Sequence, residues 1–199
     1  SDNIEVGFKS TLRDGKVRLN GTYFHNIYEN QQITVGRVIN GQPTADIINA
    51  KEAKLTGIEI DLLAQLSDAW ALTMTYGHLD GKYNSFTVDD YSYDPTTFVT
   101  TITQRDLSDT PFGYNGDDGK SHTFDIGLIH TQTLASGAGV VSQISLNKVD
   151  NSWGTMRHIP GSGLSGYNMV DGRIAFSLAD GVTTITLWGT NLTDKEYVA

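Results

Sequence analysis

Cysteine is absent from the 199-residue chain, and proline occurs only four times. Without thiols there is no disulfide scaffold, no zinc knuckle and no cysteine nucleophile. Basic side chains are scarce as well: 14 Lys and Arg stand against 23 Asp and Glu, so 14 − 23 gives −9 at pH 7. A nucleic-acid binder needs a basic face to neutralise phosphates, and this balance argues against one. No stretch reaches the roughly 18 to 20 apolar residues of a spanning helix. The opening Ser1-Asp2-Asn3-Ile4-Glu5 has neither the charged nor the apolar part of a secretory signal. A helical membrane protein is therefore excluded. A membrane β-barrel is not, because short alternating strands escape a hydropathy scan.

Period two fills the space these absences leave. Trp70, Leu72, Met74 and Tyr76 alternate with Ala71, Thr73, Thr75 and Gly77; Ile58, Ile60 and Leu62 alternate with Glu59 and Asp61. Phe124, Ile126 and Leu128 alternate with Asp125, Gly127 and Ile129, and Ile174, Phe176 and Leu178 with Arg173, Ala175 and Ser177. This is the signature of strands with one apolar and one polar face. The chain reads as all-β, with eight strands predicted at 4–13, 16–29, 50–66, 69–83, 121–134, 138–150, 167–179 and 182–191. Asp14-Gly15, Ser67-Asp68, the Ala135-Ser136-Gly137 region and Asp180-Gly181 join them in pairs. Asp-Gly is a strong tight-turn signal because Gly readily takes the positive φ such turns demand.

The other connections, 30–49, 84–120 and 151–166, read as long loops. Strict short–long alternation puts every tight turn at one end of an antiparallel meander and every long loop at the other. Outer-membrane barrels follow this rule, although soluble up-and-down barrels show it too. The loops are polar and acidic: Asp89, Asp90, Asp94, Asp106, Asp109, Asp117 and Asp118 fall in one stretch with Tyr91 and Tyr93. Phe24, Tyr28, Trp70, Tyr83, Tyr167 and Trp188 lie near strand ends, where aromatic girdles form.

Several segments resemble the C-terminal barrel part of TonB-dependent outer-membrane receptors. Trp188-Gly189-Thr190-Asn191-Leu192-Thr193-Asp194-Lys195-Glu196-Tyr197 is similar to that family's closing "NLfDKeY" stretch. Ile4 to Leu12 with Asp14-Gly15 resembles its "yElGlKs-ll-dgrl" hairpin, and Asn49 to Ile60 its "nag-a-i-GvElel" strand. Leu66-Ser67-Asp68-Ala69-Trp70 and Tyr76-Gly77-His78-Leu79-Asp80 continue the register. The resemblance implies that 1–199 is one unit, a meander of about eight strands from a transmembrane β-barrel, without the plug domain or the last strand of the family's 22-stranded barrel.

It further implies an outer-membrane location in a Gram-negative bacterium, and no enzymatic activity and no cofactor. The function it implies is uptake of a scarce nutrient such as an iron–siderophore, a cobalamin-like cofactor or an oligosaccharide. Such a ligand would meet the external loops, and the TonB–ExbB–ExbD complex would act through the plug. Ile58, Ile60, Leu62, Trp70, Leu72, Met74, Phe124, Ile126, Leu128, Ile174 and Phe176 would then face outer-membrane lipid, and Glu59, Asp61, Thr73, Thr75 and Asp125 the lumen. The alternative is a soluble eight-stranded β-domain that binds a small molecule or carbohydrate with its apolar face inside.

Four motifs point elsewhere. Gly161-Ser162-Gly163-Leu164-Ser165-Gly166 matches G-x-G-x-x-G, but it leads into the strand-like Tyr167-Asn168-Met169-Val170 rather than a helix, so it reads as a loop. His25, His78, His122, His130 and His158 lack metal-ligand spacing; His122 and His130, eight residues apart on a strand, are some 26 Å apart. Glu59 and Asp61, about 7 Å apart on a polar face, have the separation of a glycosidase pair, yet large barrel lumens are charged in this way without chemistry. Tyr114-Asn115-Gly116-Asp117-Asp118-Gly119 has acids and turn residues without calcium-loop spacing, and reads as a solvated loop.

Overall fold

The computed structural model describes residues 1–39, 42–112, 115–116, 118–154 and 161–197. They form one eight-stranded antiparallel meander with two small hairpins attached, and no helix occurs among them. The strands in chain order are β1 (Asp2–Leu12), β2 (Val17–Ile39), β3 (Gln42–Gln65), β4 (Trp70–Ser85), β5 (Thr87–Asp94), β6 (Val99–Asp106), β7 (Lys120–Thr133), β8 (Gly139–Val149), β9 (Ser152–Trp153), β10 (Gly163–Leu164), β11 (Tyr167–Ser177) and β12 (Thr184–Gly189). The sheet runs β1-β2-β3-β4-β7-β8-β11-β12, and its two edges do not meet.

All four tight turns lie at one end, as expected. In the first, Arg13, Asp14 and Gly15 take φ of 52°, 53° and 88°, a run of positive values that only Gly, Asp and few others tolerate cheaply. In the last, Asp180 accepts hydrogen bonds from the Val182 and Thr183 amides, each at 2.9 Å, and from Thr183 Oγ1 at 2.8 Å.

Two of the expected loops are largely strand. β2 and β3 continue through most of 30–49 as a paired arm that reaches Ile39↔Gln42. Ile33, Thr34, Ile47 and Ile48 supply the β-branched content that favours this. The pairing skips Asn30 and Lys51, and Asn30 takes φ 53°, so the arm departs from the sheet there. The 84–120 connection contains the β5–β6 hairpin, whose Thr, Tyr and Val residues are strand formers. Among the described residues of 151–166 the short β9–β10 pair forms, and Gly163-Leu164 of the G-x-G-x-x-G segment belongs to it. The strand β11 follows, so no helix N-terminus is available for a dinucleotide.

Cross-strand partners share a face, and the register sorts every wall residue to one of two. One face carries Val6, Tyr23, Ile58, Ile60, Leu62, Leu72, Met74, Ile126, Leu128, Ile144, Ile174 and Leu187. The other carries Glu5, Lys9, Arg18, Asn20, Glu59, Asp61, Thr75, Asp125 and Asn147. The alternating residues of Ile58 to Leu62, Trp70 to Met74 and Phe124 to Leu128 fall on opposite faces of one sheet, apolar on one and polar on the other.

The apolar belt crosses the strands obliquely. One cross-strand row runs Phe8, Gly21, Ile60, Tyr76, Phe124, Lys148, Asn168. In β1 the belt is centred on Phe8; in β11 it is centred on Ile174, and 174 − 168 puts it six residues nearer the tight turns.

A wall one layer thick has no interior. The core cluster lies instead beyond the loop end, where Ile33, Ala53, Tyr83, Phe86, Val88 and Leu107 pack together with Ile48 and Phe112. Tyr83, expected among the girdle aromatics, is the largest fully buried side chain at 1% exposure. Its ring meets Phe86 at 4.8 Å and Phe112 at 5.2 Å. Of the other five, only Trp70 holds a girdle position, at the turn-end margin of the apolar belt against His130.

Candidate functional site

The polar face is built from rows of small, charged and amide side chains. A concavity of about 680 Å³ opens on it, lined by Lys9, Arg18, Asn20, Asp61, Thr73 and Thr75 among others. Glu59 lies one row away, beside Thr22 and Gly77, and does not line this concavity. The two carboxylates expected to share a face do so, but the basic groups in the concavity surround Asp61 alone. Asp125 joins Asp61 in the next row position through Thr75.

Glycine shapes this face. Phe24 lies across Gly57, where an added Cβ would meet the ring and, at 2.6 Å, the His78 carbonyl oxygen. At Gly77 and Gly127 the space is filled by the Thr123 and Thr73 hydroxyls, each 2.6 Å from where a Cβ would stand.

Above the polar face stands the loop-end lobe. Its attachment is backbone-driven: Tyr83 N donates to Thr110 O at 3.0 Å, Asp109 N to Tyr83 O at 2.7 Å, and Phe112 N to Gly81 O at 2.8 Å. Ala53 and Tyr83 are partners on the polar-face side of β3 and β4, so the core places the β5–β6 hairpin over that side of the wall. Val88 turns into the core at 2% exposure. The opposite face of the hairpin carries Asp89, Tyr91 and Tyr93 against Gln104, Ile102 and Thr100. Both tyrosines are half-buried, Ile102 is 57% exposed, and Phe98 at the tip is 79% exposed.

Three of the seven acids singled out in 84–120 have backbone duties. Asp94 accepts from Thr96 N at 2.8 Å and from Thr97 Oγ1 at 2.9 Å; the Thr96 amide first, then the Thr97 hydroxyl, holds its carboxyl below the usual range. Asp106 is held low by the Ser108 hydroxyl and amide, and Asp118 by the Lys120 amide. Asp109 takes φ 62°. Asp117 and Tyr114 lie outside the described residues. Among the described residues, no group of three His, Asp or Glu side chains stands at metal-holding separation.

Four histidines fall on the apolar face at its margins. His25 Nδ1 and Thr56 Oγ1 are 3.1 Å apart, Tyr76 Oη and His122 Nδ1 share a hydrogen bond of 2.9 Å, and the His78 and His122 rings stack at 4.4 Å. His130 lies at the turn end, 4.4 Å from the Trp70 ring. His158 is outside the described residues. The His78–His122 stack was not expected, since nothing in a single strand's spacing shows which residues stand side by side.

The closing stretch explains its own composition. Asn191 takes φ 50°, its amide donates to Asp171 Oδ1 at 2.8 Å, and its side chain accepts from Lys195 N at 2.9 Å and donates to Lys195 O at 3.1 Å. Leu192 folds back over Gly172 and Gly189, where its methyl carbons leave no room for a Cβ. The family model described as TonB dependent receptor-like, beta-barrel, matches residues 1–192. No curated protein matches the chain.

Proposed function

Because the chain belongs to the TonB-dependent receptor β-barrel family, an outer-membrane receptor and transport family of Gram-negative bacteria, we propose that it forms the substrate-gathering side of such a receptor's wall. In this reading 1–199 is a C-terminal barrel segment. The apolar belt faces lipid, the polar face lines the lumen around a plug, and the lobe of 84–112 stands outside the cell. Energy comes from the TonB–ExbB–ExbD complex acting through the plug. The observation that carries this is the continuous two-faced wall with a cored lobe folded over its polar side. The wall's open edges support it too, because unpaired backbone groups in hydrocarbon cost several kcal/mol each and must find further strands.

Among the family's nutrients, the lobe suits a neutral ligand with apolar and hydroxylated faces, an oligosaccharide. Tyr91 and Tyr93 stand two apart on one strand face, about 7 Å, and offer stacking rings with Asp89 and Gln104 as polar neighbours. Seven Asp against Arg105 and Lys120 in 84–120 leave the region acidic, which repels an anionic iron chelate.

The test is growth of a strain deleted for the gene and complemented with wild type or with Tyr91→Ser/Tyr93→Ser. Maltodextrin, a ferric siderophore or cobalamin is supplied as the limiting nutrient. The reading expects wild-type rescue on the saccharide, loss in the double variant, and loss of rescue in cells without TonB. Rescue that persists without TonB would overturn the transport reading. TonB-dependent rescue confined to the iron chelate would overturn the saccharide preference only.

A further inference from the structure

Trp188 does not stand where an interfacial aromatic stands. Its cross-strand partner is Arg173, and Arg173 in turn lies opposite Gln143. The three side chains form one row on the polar face of β8, β11 and β12, about 10 Å wide at 4.8 Å per strand. Ile174 and Leu187, a cross-strand pair one residue away on the opposite face, belong to the middle of the apolar belt. The row is therefore halfway down the wall, with the indole turned away from the belt.

Both the ring and the cation are unspent. Trp188 is 72% exposed, although tryptophan ordinarily buries most of its surface. Arg173 is exposed as well, and among the described residues its guanidinium has no hydrogen bond or ion pair. Asp171, the acid two residues along the same face, accepts instead from the Asn191 amide at 2.8 Å. A further strand at the β12 edge would join in the plane of the sheet, so it would leave the ring projecting from the polar side.

The row is also remote from the loop end. Tyr167 on the same face of β11 is 173 − 167, or six, residues away, about 20 Å at 3.3 Å per residue. Its ring is already stacked on Tyr197 at 4.3 Å. No single sugar ring spans that distance.

A flat indole bordered by a free guanidinium fork and a carboxamide has the chemistry of a pyranose site. The C–H face of the sugar covers the indole, while neighbouring hydroxyls meet the Arg173 N–H donors and the Gln143 amide. From this placement we infer that Trp188, Arg173 and Gln143 form a second saccharide site, halfway along the lumen, which the ligand meets after leaving the lobe. An anion is not its occupant, because the acidic 84–120 region precedes it on the path. The inference rests on the saccharide reading above and on the polar face lining the lumen.

The test uses the full-length receptor in cells. Capture of labelled maltodextrin by cells lacking TonB reports the outer site and the saccharide reading, whereas uptake in cells with TonB reports the inner site. Trp188→Leu is expected to leave capture unchanged and to lower the uptake rate about five-fold. Trp188→Tyr is expected to restore most of that rate, and Arg173→Gln to lower it about as much as Trp188→Leu does. Absence of capture by the wild type would overturn both readings. Normal capture with undiminished uptake in Trp188→Leu would overturn the inner site alone. So would ion conductance of Trp188→Leu in planar bilayers where the wild type is closed, because the ring would then be a seat for the plug. If Trp188→Leu fails to assemble, Arg173→Gln decides, and undiminished uptake in that variant would overturn the site.

Discussion

Leu72 and Thr73 are neighbours in the middle of β4 that differ in which way they point. Leu72 shares its face with Ala64 and Leu128, whereas Thr73 stands opposite Leu63 and Gly127 on the polar face and donates to the Gly127 carbonyl at 3.4 Å. One residue along a strand is about 3.3 Å, so both sit at nearly the same depth and the backbone around them is shared. An arginine on the lipid side near mid-membrane costs about 2–4 kcal/mol, or roughly 30- to 700-fold in the folding equilibrium. On a wet face the same arginine costs about 0.5 kcal/mol or less, and here Asp61 and Asp125 lie in the adjoining row to receive it. Leu72→Arg is therefore expected to lower the urea midpoint of the full-length protein in phosphatidylcholine vesicles far more than Thr73→Arg, read by heat-modifiable gel migration. Equal midpoints would refute the facing assignment. The reverse order would mean that the apolar face points inward, as in a soluble barrel.

Gly57→Ala is expected to destabilise by about 1–3 kcal/mol, because the new methyl meets both the Phe24 ring and the His78 carbonyl; Phe24→Ala in the same chain should restore only part of the loss, and full restoration would show that the backbone contact is harmless. Tyr83→Ala should remove about 3 kcal/mol from the lobe core, so that limited proteolysis cuts within 87–106 while the wall keeps its heat-modifiable migration; loss of both together would mean that lobe and wall fold as one unit. The Asp94 carboxyl sits below its ordinary 3.8 when folded, so its turn contribution is present above that value and is lost as pH falls through the lowered folded value. Amide-exchange protection at Thr96 and Thr97 should hold down through pH 3.8 and fall below it, and Asp94→Ala should lack the protection at every pH; protection indifferent to both would refute the cap.

The wall was legible because each of its strands repeats the same two-residue contrast, as Ile58-Glu59-Ile60-Asp61-Leu62 shows. Its tight turns were legible because Asp14-Gly15 and Asp180-Gly181 name their own geometry. The 30–49 arm was not, since Asn, Gln and Gly at its ends resemble a loop and its β-branched residues find a partner only once β2 and β3 already lie side by side. Tyr83 looked like a girdle aromatic because burial there depends on Phe86, Val88 and Leu107 returning from a connection read as irregular. The acids of 84–120 were counted as charge, although one signal of their role was available: Asp94-Pro95-Thr96-Thr97 and Asp180-Gly181-Val182-Thr183 both place a threonine three after an aspartate, and both form the same carboxylate cap. The His78–His122 stack depends on register, which no single segment encodes.

The slant of the belt has a geometric consequence. Six residues of slippage across the six strand pairings from β1 to β11 is one residue per strand. With about 3.3 Å along a strand and 4.8 Å between strands, the strands lean by about 35° from the perpendicular to the belt, the lower edge of the range for membrane barrels. A sheet sheared at a constant rate wraps onto a cylinder whose radius depends only on how many strands complete the circle. Eight strands at this lean cover about 47 Å of circumference, well short of closure around a wide lumen. A strand added at the β12 edge would continue the slant only if its apolar stretch lay about one residue nearer the tight turns than Ile185 and Leu187, and one added at the β1 edge only if its own lay about one residue nearer the loops than Phe8.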